Sequence, residues 1–194
     1  MKEEIVSYEL ILRYTPGSLN PIDINENYLE KVKIIDDSNK IDRGMLRIGS
    51  LGTNIILSNE TEDEIKIQQS SLTVQSKSFE RLDFIVNQIK KSFRVVSIID
   101  AEYSSHTHLI DESYPNSIFD KYTTSESLDL DVIRFKHEKI MLTMHSCNPN
   151  TIHLTLYNRK KIGKQFVDLK IDEDLEMKNM NQVFENFKKN DLNI

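Results

Sequence analysis

Residues 64–93 read EIKIQQSSLTVQSKSFERLDFIVNQIKKSF, and this stretch decides the fold. It contains two short strand-like runs, near 64–69 and 72–77, followed by an amphipathic helix at 79–92. Ser78 is placed to cap the first turn of that helix. Apolar residues then recur at three- and four-residue steps, namely Leu82, Ile85, Val86, Ile89 and Phe93. The pattern predicts a helix that packs one face on an antiparallel sheet.

The same order of elements occurs twice along the chain. The first half predicts strands at 5–14, 44–49, 53–58, 64–69 and 72–77, and a weak helix at 25–34 lies in the long connection. The second half predicts strands near 94–104, 131–136, 139–146, 151–158 and 165–171. Its helix is expected at about 175–188, capped by Asp174, with an apolar stripe of Met177, Met180, Val183, Phe184 and Phe187.

This duplicated order predicts an α+β protein built from two similar halves. Residues 1–93 form the first β-rich repeat with a C-terminal helix, and residues 94–194 form the second. We expect the strands of both halves to join into one curved antiparallel sheet, with the two helices on one face.

Composition narrows the class of protein. The chain has 194 residues, of which 38% are hydrophobic and 29% charged, as in soluble globular proteins. There is no apolar run of the roughly 20 residues that a membrane helix needs, and the N-terminus does not resemble a signal peptide. We therefore expect a cytoplasmic protein with no membrane association. Its single cysteine, Cys147, excludes an internal disulfide, and its net charge of −6 argues against broad binding of polyanions.

All five histidines lie in the second half. His106 and His108 alternate, so both rings point the same way if that segment is extended. His145 and Cys147 alternate as well. A three-residue turn pairs His145 with His153, whereas a one-residue slip brings Met144 opposite His153 and turns the imidazole to the other face.

In the first of these registers the histidines and the thiol approach the ligand set of a zinc site. The candidate ligands would be His145, Cys147 and His153, with a fourth from His106 or His108. The sequence has no C-x-x-C or H-E-x-x-H spacing that would support a metal site. Our interpretation is therefore that these are half-exposed sheet residues, and we predict no metal, no cofactor and no catalytic residue.

Basic residues suggest a second candidate surface. Arg159, Lys160, Lys161 and Lys164 form a cluster expected in a loop between two late strands, and Lys90, Lys91 and Arg94 form another at the end of the first helix. Either cluster could contact the phosphates of a nucleic acid. The simpler interpretation is a solvated loop and a favourably charged helix terminus.

The order of one strand, a long connection, four strands and a helix, given twice, resembles the saddle of the TATA-binding protein family. The stretches GMLRIGSLGTNIILSN at 44–59 and VIRFKHEKIMLTMHS at 132–146 look like the central hairpins of that family. The resemblance implies a nucleic-acid-binding face with phenylalanine pairs that wedge between base steps. Here the comparable positions hold Ile55, Ile56 and Leu57 in the first half, and only Phe135 in the second.

These observations favour a non-catalytic binding protein. The expected ligand is a partner protein or a second copy of the chain, bound through an exposed sheet face or edge. One alternative is a nucleic-acid-binding protein like the TATA-binding protein, which would use Arg159, Lys160, Lys161 and Lys164. The other alternative is a metal-dependent enzyme that uses the histidine-rich second half.

Overall fold

The computed structural model describes residues 2–16, 18, 43–49, 52–58, 63–92, 96–110, 132–148 and 150–192. The strands in these ranges are β1 (Lys2–Tyr14), β2 (Arg43–Gly49), β3 (Gly52–Ser58), β4 (Glu64–Ile67), β5 (Ser71–Ser76), β6 (Ser97–Ile110), β7 (Val132–His137), β8 (Ile140–Asn148) and β9 (Thr151–Gln165). The helices are α1 (Phe79–Ser92), α2 (Ile171–Asp174) and α3 (Met177–Phe187), with a 3-10 turn at Phe166–Asp168 and a π-helical turn at Lys188–Leu192. The helix predicted at 25–34 lies outside the described residues.

The described strands form one nine-stranded sheet in the order β2-β3-β4-β5-β1-β6-β9-β8-β7. Antiparallel pairs join β2 to β3, β3 to β4, β4 to β5, β5 to β1, β7 to β8 and β8 to β9. The prediction of an α+β protein with one largely antiparallel sheet is therefore confirmed. The curvature of the sheet and the placement of both helices on one face stay predictions.

The chain divides into two compact units. One, the α1 unit, contains Tyr8–Tyr103 and Arg159–Leu175, and the other, the α3 unit, contains Met1–Ser7, Ser104–Asn158 and Glu176–Ile194. These units are defined by compactness and not by repetition of structure. The division into repeats 1–93 and 94–194 therefore stays a prediction.

In the α1 unit, helix α1 forms as its sequence predicts. The Ser78 hydroxyl oxygen accepts a hydrogen bond from the Arg81 amide at 3.3 Å, which caps the first turn. The helix packs on β5, and the apolar stripe is almost completely buried along Leu82, Ile85, Val86 and Ile89. Burying each such side chain stabilises the fold by about 1.5–3 kcal/mol.

The strand predicted at 165–171 is wrong. Strand β9 continues to Gln165, and the chain then forms the 3-10 turn and α2. The run from Val167 to Ile171 alternates like a strand, but Val167 is 46% exposed and the buried residue is its neighbour Phe166. The Phe166 amide donates to the carbonyl oxygen of Val96 at 2.7 Å, which fixes the end of β9. Among the described residues, the second half therefore contributes four strands and the first half five, and a full internal repeat is not confirmed.

In the α3 unit, helix α3 packs on β8 through the predicted stripe. Met177, Met180 and Phe187 are buried, and the Phe187 ring lies 4.9 Å from that of Phe135. Asp174 was wrongly predicted as the cap of this helix. The N-cap residue is Glu176, which has a left-handed backbone and no capping side-chain bond.

Asp174 instead ends α2, in the α1 unit. Its carboxylate accepts hydrogen bonds from the Lys170 amide at 2.8 Å and from the Lys164 ammonium group. Burial opposes ionisation of this carboxyl, but these two bonds, together with attraction to the charges of Lys164 and Lys160, outweigh it and lower the pKa of Asp174.

Candidate functional site: a histidine and cysteine cluster on β6, β8 and β9

The candidate site lies in the α3 unit, where β9 runs between β6 and β8. Successive side chains of a strand point to opposite faces of the sheet, so each strand separates a core face from an outer face. On β6, Thr107 and Leu109 are buried, whereas His106 and His108 are half-buried on the other face. The prediction that these two rings share one face is confirmed by their place in a continuous strand.

His153 occupies the same outer face at the middle strand. Its neighbours along β9, Ile152 and Leu154, are buried in the core. On β8 the core residue Met144 is 0% exposed, whereas His145 is exposed. The outer face of three adjacent strands is thus lined with imidazole groups.

A β-bulge decides the register between β8 and β9. Asn148 pairs with Thr151, so only two residues separate the paired ends of the strands. The register then shifts between Ser146 and Asn148, with Cys147 as the extra residue, and His145 pairs with His153. Of the two registers that the sequence left open, the structure has the one that pairs the two histidines, although a bulge and not a three-residue turn produces it. Bulges redirect the side chain of the extra residue, which here is the thiol.

The structure brings His108, Cys147 and His153 together. One ligand atom from each lies within 4.8 Å of the other two. The rings of His108 and His153 have centroids 5.1 Å apart and are inclined at 70°, so they meet edge to face and are not stacked. Imidazole lone pairs lie in the ring plane, so each ring must turn the edge that carries its lone pair towards a shared ion.

His106 contacts the cluster through a hydrogen bond. Its Nδ1 lies 3.1 Å from Nε2 of His153, and its Nε2 lies 3.1 Å from the hydroxyl oxygen of Ser104. The Thr155 hydroxyl oxygen is 3.4 Å from the same Nδ1. Among the described residues the group of mutually close ligand atoms does not include His106.

Burial favours the neutral forms of His106 and His153. It lowers the pKa of His106, and it lowers that of His153 together with the nearby His106, His108 and His145. Each imidazolium would lose solvation, and those beside His153 would repel a positive charge on its ring. At neutral pH both rings are therefore unprotonated and can use a lone pair for a metal ion or a hydrogen bond.

The sequence identified all three members of the close group, but combined them differently. It placed His145 with Cys147 and His153, and named His106 or His108 only as a fourth ligand. His145 is paired with His153 along the backbone, yet it lies outside the close group. Which histidine of β6 lies nearest the thiol depends on the β6–β9 register, for which the local sequence has no signal.

The first cluster of basic residues lies in a strand and not in the predicted loop. Arg159, Lys160, Lys161 and Lys164 lie within β9, in the α1 unit. Arg159 approaches the Asp100 carboxylate at 3.4 Å, and Lys164 pairs with Asp174.

Of the second basic group, Lys90 is half-buried and donates to the Leu169 carbonyl oxygen and to the side chain of Asn87. Burial lowers the pKa of Lys90, against the attraction of Asp83 and Asp174. The Lys91 side chain and Arg94 lie outside the described residues.

Phe135, the only phenylalanine at the positions that the saddle resemblance singles out, lies against helix α3. It borders a groove of about 220 Å³ between that helix and the β7–β8 hairpin, which is also lined by Ile140, Leu142, Val183 and Phe187. Its ring contacts Phe187. Phe135 is therefore part of the packing of the helix on the sheet. The side chains of Ile55, Ile56 and Leu57 lie outside the described residues.

Across the described residues, no helix has the length and apolar character needed to span a bilayer. No protein-family model matches the chain, and no curated protein matches it. Among solved structures it is similar to "Methanococcus jannaschii TBP", with 12% identity and a TM-score of 0.34 over 97% of this chain and 99% of that one. At that level of similarity, the resemblance to the TATA-binding protein stays a prediction.

Proposed function

We propose that the protein binds a single transition-metal ion on the outer face of the α3 unit, through His108, Cys147 and His153. The observation that carries this proposal is the close approach of three ligand atoms of the right chemistry, all within 4.8 Å of one another. This ligand differs from the partner protein or second copy of the chain that the sequence favoured. It replaces our expectation that no metal is bound.

The distances support an ion after small side-chain movements. With zinc–nitrogen bonds of about 2.0–2.1 Å and zinc–sulfur bonds of about 2.3 Å, ligand atoms of a tetrahedral site lie roughly 3.3–3.6 Å apart. The three atoms must therefore approach by at most about 1.5 Å, which rotation about side-chain bonds supplies. Cys147 is exposed, so its thiol is free to rotate towards the histidines.

The ligand set favours zinc or another thiophilic ion. Two imidazoles and a thiolate suit Zn²⁺ and copper, whereas Mg²⁺ and Ca²⁺ require oxygen ligands. Three protein ligands leave one position of a tetrahedron open, and the exposed thiol keeps that position near solvent. An exchangeable ion fits this geometry better than a closed structural site.

The nucleic-acid alternative has less support from the described surface. In the α1 unit, Arg13 of β1 bonds to both Asp100 and Glu102 of β6, at 2.9 and 2.7 Å. Arg159 approaches the same Asp100. Two arginines and two carboxylates thus neutralise one another on this part of the described surface, whereas DNA binding needs an excess of positive charge.

Titration with Co²⁺ and Zn²⁺ tests the proposal directly. We expect one Co²⁺ per chain, a thiolate-to-cobalt charge-transfer band in the near ultraviolet, and displacement by Zn²⁺. Cys147→Ser should abolish the band. His108→Ala and His153→Ala should each raise Kd by more than the roughly 10- to 100-fold that outer partners of a metal ligand typically contribute.

The chain offers a matched control in His137, an exposed histidine on β7 that is outside the close group. His137→Ala should bind Co²⁺ as the parent protein does. Absence of a charge-transfer band in the parent protein, or an equal loss of affinity in His137→Ala and His153→Ala, would contradict the proposed ligands.

A further inference from the structure

His106 touches the proposed site without belonging to it, and its hydrogen bonds are specific to individual nitrogens. Nδ1 of His106 lies 3.1 Å from Nε2 of His153, and Nε2 of His106 lies 3.1 Å from Ser104 Oγ. Ser104 is 7% exposed, so the residue whose hydroxyl group contacts Nε2 of His106 is itself buried. Hydrogen bonds thus link Ser104 to His106 and His106 to His153, which is a proposed metal ligand.

As long as the hydrogen bond between His106 and His153 is kept, only one arrangement of hydrogens leaves His153 able to bind a metal ion. A neutral imidazole has one N–H and one nitrogen with a lone pair. If His106 donates from Nδ1, Nε2 of His153 must accept, and the hydrogen of His153 then sits on Nδ1. No lone pair of His153 is left for an ion in that case.

In the other arrangement, His106 carries its hydrogen on Nε2 and donates it to Ser104 Oγ. Its Nδ1 then accepts from the Nε2–H of His153, and the Thr155 hydroxyl at 3.4 Å is a second, longer donor to the same atom. The lone pair of His153 is now on Nδ1. Hydrogen bonds of this kind to the second nitrogen commonly orient metal-binding histidines.

We propose that His106 is a positioning residue which holds His153 in its Nε2–H form, so that Nδ1 of His153 is the metal ligand. This inference rests on the metal-binding function proposed above. It assigns His106 and Ser104 a role in setting affinity, and it leaves His108 and Cys147 as the other two ligands.

A competing arrangement makes a different structural prediction. The 3.1 Å between Nδ1 of His106 and Nε2 of His153 is close to the roughly 3.3 Å between two nitrogens on one tetrahedral zinc ion. Both rings could then be ligands, with His153 bound through Nε2. The described geometry favours the positioning role because His106 lies outside the group of close ligand atoms.

Nuclear magnetic resonance of the ¹⁵N-labelled full chain, with and without Zn²⁺, distinguishes these arrangements. Long-range ¹H–¹⁵N spectra report which ring nitrogen of each histidine carries hydrogen and which binds the ion. We expect zinc on Nδ1 of His153 and a hydrogen on its Nε2. Zinc on Nε2 of His153 would overturn the positioning role and leave the proposed function intact, whereas a parent protein that binds no zinc would defeat the proposed function itself.

Two variants of His106 supply an independent readout. His106→Asn places an amide oxygen near the position of Nδ1 and keeps the acceptor, while His106→Ala removes it. Loss of an outer partner typically weakens metal binding about 10- to 100-fold, so we expect that loss in His106→Ala and recovery of most of the affinity in His106→Asn. Equal zinc affinity in His106→Ala and the parent protein, or equal weakness in both variants, would overturn the role.

Discussion

Removal of the Asp63 carboxylate should destabilise the α1 unit strongly. Asp63 is 5% exposed, and its two oxygens bind different elements. One accepts from the hydroxyl group of Ser76 at 2.6 Å, at the end of β5, and the other accepts from Nε of Arg81 at 2.8 Å, in the first turn of α1. Asp63 thereby ties the start of α1 to the end of β5. The informative change is Asp63→Ala.

The magnitude follows from burial of the partners. Breaking a buried ion pair by removing one member costs about 3–5 kcal/mol, because the other charge stays buried without its counterion. The Arg81 side chain is 17% exposed, so water partly compensates, and we expect the lower end of that range. Asp63→Asn keeps an oxygen acceptor and loses only the charge, so it should cost about 1.5–3 kcal/mol, as for a hydrogen bond to a charged group.

Equilibrium unfolding in urea, followed by far-ultraviolet circular dichroism, measures these changes as free energies of unfolding. The matched control is Glu173→Ala, which removes an ion pair with Lys170 whose side chains are 68% and 70% exposed. That pair should contribute only about 0.2–1 kcal/mol. The double variant Asp63→Ala/Arg81→Met should recover part of the loss, because it removes the stranded charge.

The reasoning is refuted if Asp63→Ala loses no more stability than Glu173→Ala. It is also refuted if the double variant is less stable than the sum of its single changes predicts, since a stranded Arg81 charge requires the opposite sign of coupling.

Three further predictions concern pH, backbone strain and nucleic acid. Folding lowers the pKa of His106 and His153 below the ordinary value of about 6.5. The unfolded chain therefore binds more protons than the folded chain at pH values near and just below about 6.5. Stability should therefore fall as the pH drops from about 7.5 to about 5.5, and the fall in urea midpoint should be smaller in His153→Asn. Gly163 has a φ of 64°, and Gly163→Ala should cost about 1–2 kcal/mol in urea unfolding, although no atom lies within 4 Å of the added Cβ. Fluorescence anisotropy should detect no tight duplex DNA binding at physiological salt, because Arg159 and Lys164 are paired with carboxylates. Tight binding that weakens steeply with salt would contradict this expectation.

Self-association, which the sequence favoured, is a separate prediction. Sedimentation of the free protein with and without Zn²⁺ measures it. We expect a mass above that of the monomer if the exposed sheet face or edge binds a second copy. A monomer under both conditions would contradict self-association, and binding of a different partner protein would then be the part of the prediction that stays.

The amino-acid sequence by itself determined the elements whose packing is local. Three- and four-residue spacing identified α1 and its buried stripe from Leu82 to Ile89, because a helix repeats every 3.6 residues whatever it packs against. Alternation identified β1 and the first part of β6, but the predicted strand ended at 104, and β6 continues to Ile110, which places His106 and His108 on a common face. Alternation also predicted a strand at 165–171, which is wrong. The tertiary fold buries Phe166 and leaves Val167 exposed, and strand β9 ends before them.

Only the tertiary structure decided the composition of the candidate site. The bulge at Cys147 depends on pairing with β9, and the choice of His108 over His145 depends on which strands are neighbours and in what register. The bulge belongs to the β8–β9 hairpin, whose partners are close in sequence, whereas the contacts of His108 join residues roughly 40 positions apart and depend on hydrogen bonding between strands. The sequence could therefore supply the chemistry of the ligands, whereas their convergence is a property of the fold.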